Sequence, residues 1–290
     1  MKVIKLNLKS RSYPIFIEEG LLSKAGCLLK RSDIGKDAIV ITNSYLKKKI
    51  GNELRSTILK HGFSCKFFTA PDSEKAKSIR YCLDLIDKIS KYDKKKQIFL
   101  IALGGGVIGD LTGFIASIYK RGVPYMHIPT TLLAQIDSSI GGKTAIDLKV
   151  AKNLVGAFYQ PRLVIVDPGL LKSLPKRQLR SGLAEVIKYS VIKDRALFSY
   201  LENNHKNIIS LKKKDVELIE SRCIAIKARI VEKDEQEKKG MRTILNFGHT
   251  IGHAIESASG YSGRYSHGEA VAIGMVAASR MASYSVGSSS

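Results

Sequence analysis

The chain has 290 residues of which 44% are hydrophobic, too apolar for disorder and long enough for two modest domains or one large one. Lys+Arg 48 against Asp+Glu 26 leave a formal net charge of +22, and the 4 cysteines (Cys27, Cys65, Cys82, Cys223) contain no close pair. That spacing excludes CxxC zinc and redox motifs and a small disulfide scaffold, so the thiols are expected to be reduced, buried and structural.

The opening stretch, Met1 to Gly20, alternates like a strand and lacks the apolar core of a signal peptide. No apolar run approaches the roughly 20 residues of a membrane span, so a soluble cytoplasmic protein is expected. Asp37–Thr42 reads as a buried strand followed by a helix through Leu59, and Phe63–Phe68 as a further strand. Ser78–Ser90 carries Ile79, Leu83 and Ile86 at helical spacing. Gln97–Leu103 is a fully apolar strand, with a helix expected over Asp110–Lys120, and short strands follow near Tyr125–Ile128 and at Leu163–Asp167. Strand and helix in alternation imply an α/β domain with a mostly parallel sheet covered on both faces. Beyond Asp167 the pattern turns helical: Gln178–Lys193, Lys214–Lys233, Thr250–Ser257 and about Gly268–Ser283. The division predicted is a Rossmann-like domain over 1–168 and a helical domain over 169–290. The closing Ser-Val-Gly-Ser-Ser-Ser is low in complexity and expected to fray.

The lysines form short clusters such as Lys47-Lys48-Lys49 and Lys212-Lys213-Lys214, among polar turn residues and without interleaved aromatics. That pattern reads as a solvated surface on an enzyme with anionic ligands. A basic nucleic-acid binder is the competing class, and no nucleic-acid motif accompanies the charge.

Three constellations carry chemistry. Gly104-Gly-Gly-Val-Ile-Gly109-Asp110 satisfies G-x-G-x-x-G between an apolar strand and a helix. There the backbone can approach a pyrophosphate and the helix N-terminus supplies oriented N–H groups. No acid follows at the ribose-binding distance, so ribose or adenine contacts are expected from Asn43 or the Glu74/Lys77 segment. The second runs from Pro129 through Thr130, Thr131, Asp137 and Lys143 to Lys152 and Asn153. Its Gly-Gly-Lys143-Thr144 echoes a P-loop without that motif's first glycine, leaving a polar loop rich in anion partners. In the third, Glu185 and Lys188 share one helical face, His249 and His253 share another, and His267 follows. A carboxylate with two imidazoles is a catalytic zinc set that leaves an open position. Thr250 stands where the H-E-x-x-H signature would place glutamate.

In combination these segments resemble the 3-dehydroquinate synthases, within the sugar-phosphate cyclases. The match runs through Gly-Gly-Gly-Val-Ile-Gly-Asp-Leu, Lys-Arg-Gly-Val, Ile-Pro-Thr-Thr-Leu-Leu-Ala-Gln-Ile-Asp-Ser-Ser-Ile-Gly-Gly-Lys-Thr-Ala, Gly-Leu-Ala-Glu-Val-Ile-Lys-Tyr and Leu-Asn-Phe-Gly-His-Thr-Ile-Gly-His-Ala-Ile-Glu. The resemblance implies NAD and a divalent metal, zinc with cobalt as an alternative. It also implies conversion of 3-deoxy-D-arabino-heptulosonate 7-phosphate to 3-dehydroquinate and phosphate by oxidation, elimination, reduction and aldol closure, in the shikimate pathway. Carried over by position, Glu185, His249 and His267 are the metal ligands. Glu74, Lys77, Gly105, Gly106, Val107, Ile108, Gly109, Asp110, Thr130, Thr131, Lys143, Lys152, Leu170, Leu171, Lys172 and Ser173 fall on NAD-contacting positions. Asp137, Lys188, Arg242, Asn246 and His253 fall in the substrate pocket, with Lys152, Asn153 and His253 near the leaving phosphate. Arg121 matches a residue that reaches the phosphate from a neighbouring subunit, so a homodimer is expected. The family's chains continue past the His267 helix. The helical domain is therefore expected to be shortened, baring apolar faces of Ala254–Ala258 and Ala270–Ala282, with a non-catalytic remnant or another sugar-phosphate cyclase as alternatives.

Overall fold

A computed structural model describes residues 1–94, 96–148, 150–260 and 263–287, with residues 285–287 as backbone only. Its centre is a seven-stranded sheet of order β1-β2-β9-β6-β5-β3-β4. The strands are β1 (Lys2–Leu6), β2 (Tyr13–Ile17), β3 (Asp37–Thr42), β4 (Ser64–Thr69), β5 (Ile98–Gly104), β6 (Tyr125–Pro129) and β9 (Val164–Val166). Within this sheet only β1 and β2 pair antiparallel, Lys2 opposite Ile17 and Leu6 opposite Tyr13. The alternating opening stretch is thus two strands, broken by a turn at Lys9–Arg11.

Period-two alternation divides the side chains of β3 and β5 between two cores. Ile39, Ile41, Leu100 and Ala102 pack with Leu85 and Ile89 of α3 (Ile79–Tyr92) and Leu111 and Ile115 of α4 (Gly106–Ile118). Ala38, Val40, Phe99 and Ile101 pack on the other face against Leu28 of α1 (Ala25–Lys30) and Leu54 and Ile58 of α2 (Ser44–Lys60). Both faces are covered, as a parallel sheet requires.

Three local expectations need correction. In α3 the core face is Cys82, Leu85 and Ile89, while Ile79 and Leu83 are about half exposed. The period was read correctly and the face was not, because Ile79–Leu83–Ile86 and Cys82–Leu85–Ile89 are both legal stripes. Helix α4 starts four residues before Asp110, with extended Gly105 as its N-cap. It stops at Ile118 because Lys120 and Arg121 take left-handed backbone angles, φ 50 and 62. The loop after Gly142 folds into a hairpin, β7 (Lys143–Ile146) with β8 (Val155–Phe158). Of the cysteines, Cys82 and Cys223 are buried, whereas Cys27 and Cys65 are only partly so; all four are free thiols.

Beyond β9 the described residues are helical: α5 (Lys176–Lys193), α6 (Arg195–Ile209), α7 (Lys213–Lys233), α8 (His249–Ala258) and α9 (His267–Gly287). Helix α6 was not anticipated; Asp194 caps it by accepting from Leu197 N. Leu179, Val186, Leu197, Ile219 and Cys223 form the helical core. Ile224, Ala228 and Val231 of α7 pack on β1, β2 and β9, tying the helices to the sheet. Helix α9 reaches Gly287, past the start of the expected fray, and residues 288–290 lie outside the described residues. It buries Ala270, Val271 and Met275 and exposes Ile273, Val276 and Met281. No helix of the described residues is long and apolar enough to cross a membrane.

Candidate active site

Strand order reverses between β3 and β5, so their C-terminal ends flank the crevice where open α/β sheets bind ligands. Gly104 closes β5 and Gly105 opens α4 with no side-chain cap, leaving the first-turn N–H groups pointing into the crevice. A Cβ on Gly105 would stand 3.1 Å from Thr131 Cγ2, and one on Gly106 3.1 Å from Ser138 Oγ. Ser138 Oγ is buried and has no hydrogen-bond partner among the described residues. Oriented N–H groups, absent side chains and an orphaned hydroxyl fit a phosphate-bearing nucleotide. Asn43, at the end of β3, accepts from Leu46 N at 2.7 Å and donates to Asp72 at 2.8 Å.

Lys77 lies buried beneath this turn. Its ammonium meets Asp110 at 2.8 Å and Asn153 Oδ1, with Glu74 at 3.6 Å and Asp147 at 3.9 Å. Burial opposes its charge, but Asp110 and the other acids more than offset that and raise its pKa. Burial also dominates at Asp110, whose pKa is pushed up to about 6 despite Lys77.

The second half of the site is built by α5, α8 and α9. Glu185 Oε1 lies 3.5 Å from His249 Nε2 and 3.7 Å from His267 Nε2. Ligand atoms of these three residues all fall within 4.8 Å of one another. The Glu185 side chain is 1% exposed, and Lys188, one turn on in α5, ion-pairs with its Oε2. Burial raises the Glu185 pKa against the pull of Lys188. Burial, then Lys188, lowers that of His249 to about 4. A neutral imidazole and a carboxylate oxygen without a hydrogen bond are what a divalent cation needs. The residues fit a metal.

Between the two halves runs a chain of charges. Asp137 accepts from Lys227 Nζ at 2.6 Å and from the Tyr189 hydroxyl. Burial works to raise the Asp137 pKa, but Lys227 and Lys188 outweigh it and hold the carboxyl far below its usual range. Arg242, 3% exposed, donates to Glu235 O at 2.9 Å and faces Glu237 at 3.4 Å, which also pairs with Lys143 at 2.6 Å. Ser138, the residue after Asp137, touches the glycine turn, so metal set, charge chain and nucleotide turn are contiguous.

The other expected residues are placed as follows. Thr130 is buried, and Thr131 Oγ1 accepts from Ala134 N. Val107 and Ile108 form the first turn of α4, whose Gly109 bonds back to Gly105 O. His253 is exposed, its ring 5.4 Å from that of His249, and Asn246 is exposed on the turn before α8. Lys152 is exposed beside Asn153, which has φ 55. Leu171 is buried in the helical core and Leu170 packs on the sheet core. Lys172 pairs with Glu19, and Ser173 donates to Leu170 O. Arg121 is exposed, with no hydrogen bond or ion pair to either half among the described residues. Lys227, Tyr189, Ser138, Glu237 and Glu256 were not anticipated. For Lys227 a signal existed: it falls in the apolar stripe Ile224–Ala228–Val231, where an unpaired lysine would be costly.

The chain is similar to known proteins along its length. The family profile 3-dehydroquinate synthase N-terminal matches residues 67–181, and 3-dehydroquinate synthase C-terminal matches 182–289. The 3-dehydroquinate synthase of Desulforamulus reducens is 46% identical over 282 residues, covering 97% of this chain and 78% of its own length. That of Thermodesulfovibrio yellowstonii is 47% identical over 283 residues, with 98% and 78% covered. Among solved structures, 2-deoxy-scyllo-inosose synthase with carbaglucose-6-phosphate, NAD+ and Co2+ superposes with a TM-score of 0.86 at 29% identity, covering 95% of this chain and 74% of that one. The 2-epi-5-epi-valiolone synthase of Streptomyces hygroscopicus with NAD+ and Zn2+ gives 0.82 at 28%, with 93% and 74% covered. An iron-containing alcohol dehydrogenase gives 0.65 at 17%, a likeness of fold.

Proposed function

The chain belongs to the 3-dehydroquinate synthase family, and from that premise we propose that it converts 3-deoxy-D-arabino-heptulosonate 7-phosphate to 3-dehydroquinate and phosphate. It is read as a cytoplasmic carbon–oxygen lyase of the shikimate pathway, with NAD and a divalent metal, zinc or cobalt, as cofactors. Residues 1–168 form the NAD domain and 169–290 the metal and substrate domain. The observation that carries the reading is the buried Glu185 carboxylate facing two Nε2 atoms, near Asp137, whose neighbour Ser138 lies against the glycine turn.

In this reading the metal supplies Lewis acidity toward a ring hydroxyl, and NAD a hydride acceptor that is restored within the turnover. Glu185, His249 and His267 hold the metal, while Gly105–Asp110, Thr130 and Thr131 cradle the nucleotide. Arg242, whose guanidinium is buried, grips the substrate carboxylate through its fork. Lys188, Lys227 and Asp137 fix the hydroxyls in a site where position and charge do most of the work. Lys143 and Lys152 reach the nucleotide, and Lys152, Asn153 and His253 hold the leaving phosphate, with Arg121 contributed by a second copy in a homodimer. The surface lysines then need no nucleic-acid partner.

The test is phosphate release from the heptulosonate phosphate by the purified chain with NAD and zinc, with and without chelator, beside Glu185→Ala. Chelator-sensitive release that Glu185→Ala abolishes supports the proposal. Absence of release with both cofactors bound refutes it for this chain and favours the non-catalytic remnant.

A further inference from the structure

Two imidazoles aim Nε2 at Glu185, and each must keep its lone pair on that nitrogen to ligate a cation. A neutral imidazole has one lone pair and one N–H, so whichever group accepts at Nδ1 decides where the lone pair sits. For His249 that group is the Phe247 carbonyl, 3.3 Å from Nδ1. For His267 it is a side chain: Glu256 Oε2 stands 3.1 Å from Nδ1. Glu256 is 17% exposed, lies one turn beyond His253 on α8, and has no place in the reaction proposed above.

We infer that Glu256 is a positioning residue for the metal site, holding the His267 ring across the α8–α9 contact with its Nε2 lone pair turned toward Glu185. A carboxylate on the far nitrogen also makes the ring a stronger donor and adds negative charge beside a centre that already faces the Lys188 ammonium. The arrangement differs from that at His249, whose backbone acceptor lies two residues away in its own sequence. Glu256 instead comes from the neighbouring helix, so the His267 orientation depends on how α8 and α9 are packed. His253, Glu256 and His267 also bring ligand atoms within 4.8 Å of one another. A cation held there would take the His267 Nδ1 lone pair and leave a proton on Nε2. The inner set and this outer set therefore compete for one ring.

The inference rests on Glu185, His249 and His267 being the metal set, and the experiment separates the two. Zinc affinity of the whole chain is measured by competition with a chromophoric chelator, and stoichiometry by equilibrium dialysis. Variants are Glu256→Ala, Glu256→Gln and Glu185→Ala, alongside the metal-free melting temperature and NAD affinity of each. Loss of an outer partner of this kind weakens metal binding about 10–100-fold. That is the expectation for Glu256→Ala, with Glu256→Gln in between because an amide oxygen still accepts but carries no charge. Melting without metal and NAD affinity should stay near wild type. Long-range ¹H–¹⁵N spectra of the metal-free chain should show His267 protonated at Nδ1, and a tautomer mixture in Glu256→Ala, a change that a merely structural role would not cause. Wild-type zinc affinity in Glu256→Ala overturns the inference. So does binding of two zinc ions of which Glu256→Ala loses only the weaker, which would make Glu256 an outer ligand. Zinc affinity indifferent to Glu185→Ala overturns the metal site itself.

Discussion

Replacing Gly274 by alanine should remove metal binding without touching a ligand. Helices α8 and α9 cross in near-backbone contact, and a Cβ built on Gly274 falls 2.0 Å from the carbonyl oxygen of Gly248, the residue before His249. A Cβ and an oxygen do not approach within about 3 Å, so the helices must separate by roughly 1 Å. Gly248 sits at φ +79 and offers little give, and the oxygen is backbone rather than the end of a flexible side chain. His249 and His267 ride on opposite sides of this contact, and metal–ligand distances tolerate only about 0.2 Å. The wedge therefore exceeds the tolerance several-fold, while overpacking itself costs about 1–3 kcal/mol, less than most domains possess. Zinc content after dialysis and urea unfolding read the two effects separately, with the exposed Ser279→Ala as a control on the same helix. Stoichiometric zinc at wild-type affinity in Gly274→Ala would refute the claim that this contact sets the ligand spacing.

Lys227→Met leaves the partly buried Asp137 carboxylate without its nearest cation, and should lower unfolding free energy by about 1–3 kcal/mol; an unchanged urea midpoint contradicts the pairing. His127, in β6, is 6% exposed, and burial lowers its pKa to about 4. The unfolded chain takes up a proton near pH 6.5 that the folded chain refuses. Stability is therefore complete above that pH and falls by about 3 kcal/mol as pH drops toward 4. His127→Phe should flatten that part of the wild-type stability–pH curve, and an equally steep curve would place the loss elsewhere. Gly106→Val directs a branched side chain toward Ser138 Oγ and should weaken NAD binding at least tenfold by calorimetry while melting near wild type. Unaltered NAD affinity would put the nucleotide elsewhere.

The α/β order, the helical second half and the convergence of Glu185, His249 and His267 were legible because each rests on local periodicity or on residue chemistry that few alternatives satisfy. Gln97–Leu103 is apolar on both faces, which only a covered strand explains, and β5 spans Ile98–Gly104. The face of α3 was not legible, since two apolar stripes compete and only the sheet beneath selects Cys82, Leu85 and Ile89. Helix α6 was missed although Leu197, Tyr200, Leu201 and Ile208 recur at helical spacing behind the Asp194 cap, so its signal was in the sequence and went unread.

Residue identity alone determined which groups can do chemistry here: glycines that can admit a phosphate, and a carboxylate and imidazoles that can hold a cation. Tertiary structure decided which of them meet. The Asp137–Lys227 pair spans 90 residues, the Glu256–His267 contact joins two helices, and Lys77 reaches Asp110 from another element. Such pairings carry no sequence period, because they are set by how rigid elements pack, and packing is fixed by the whole core at once.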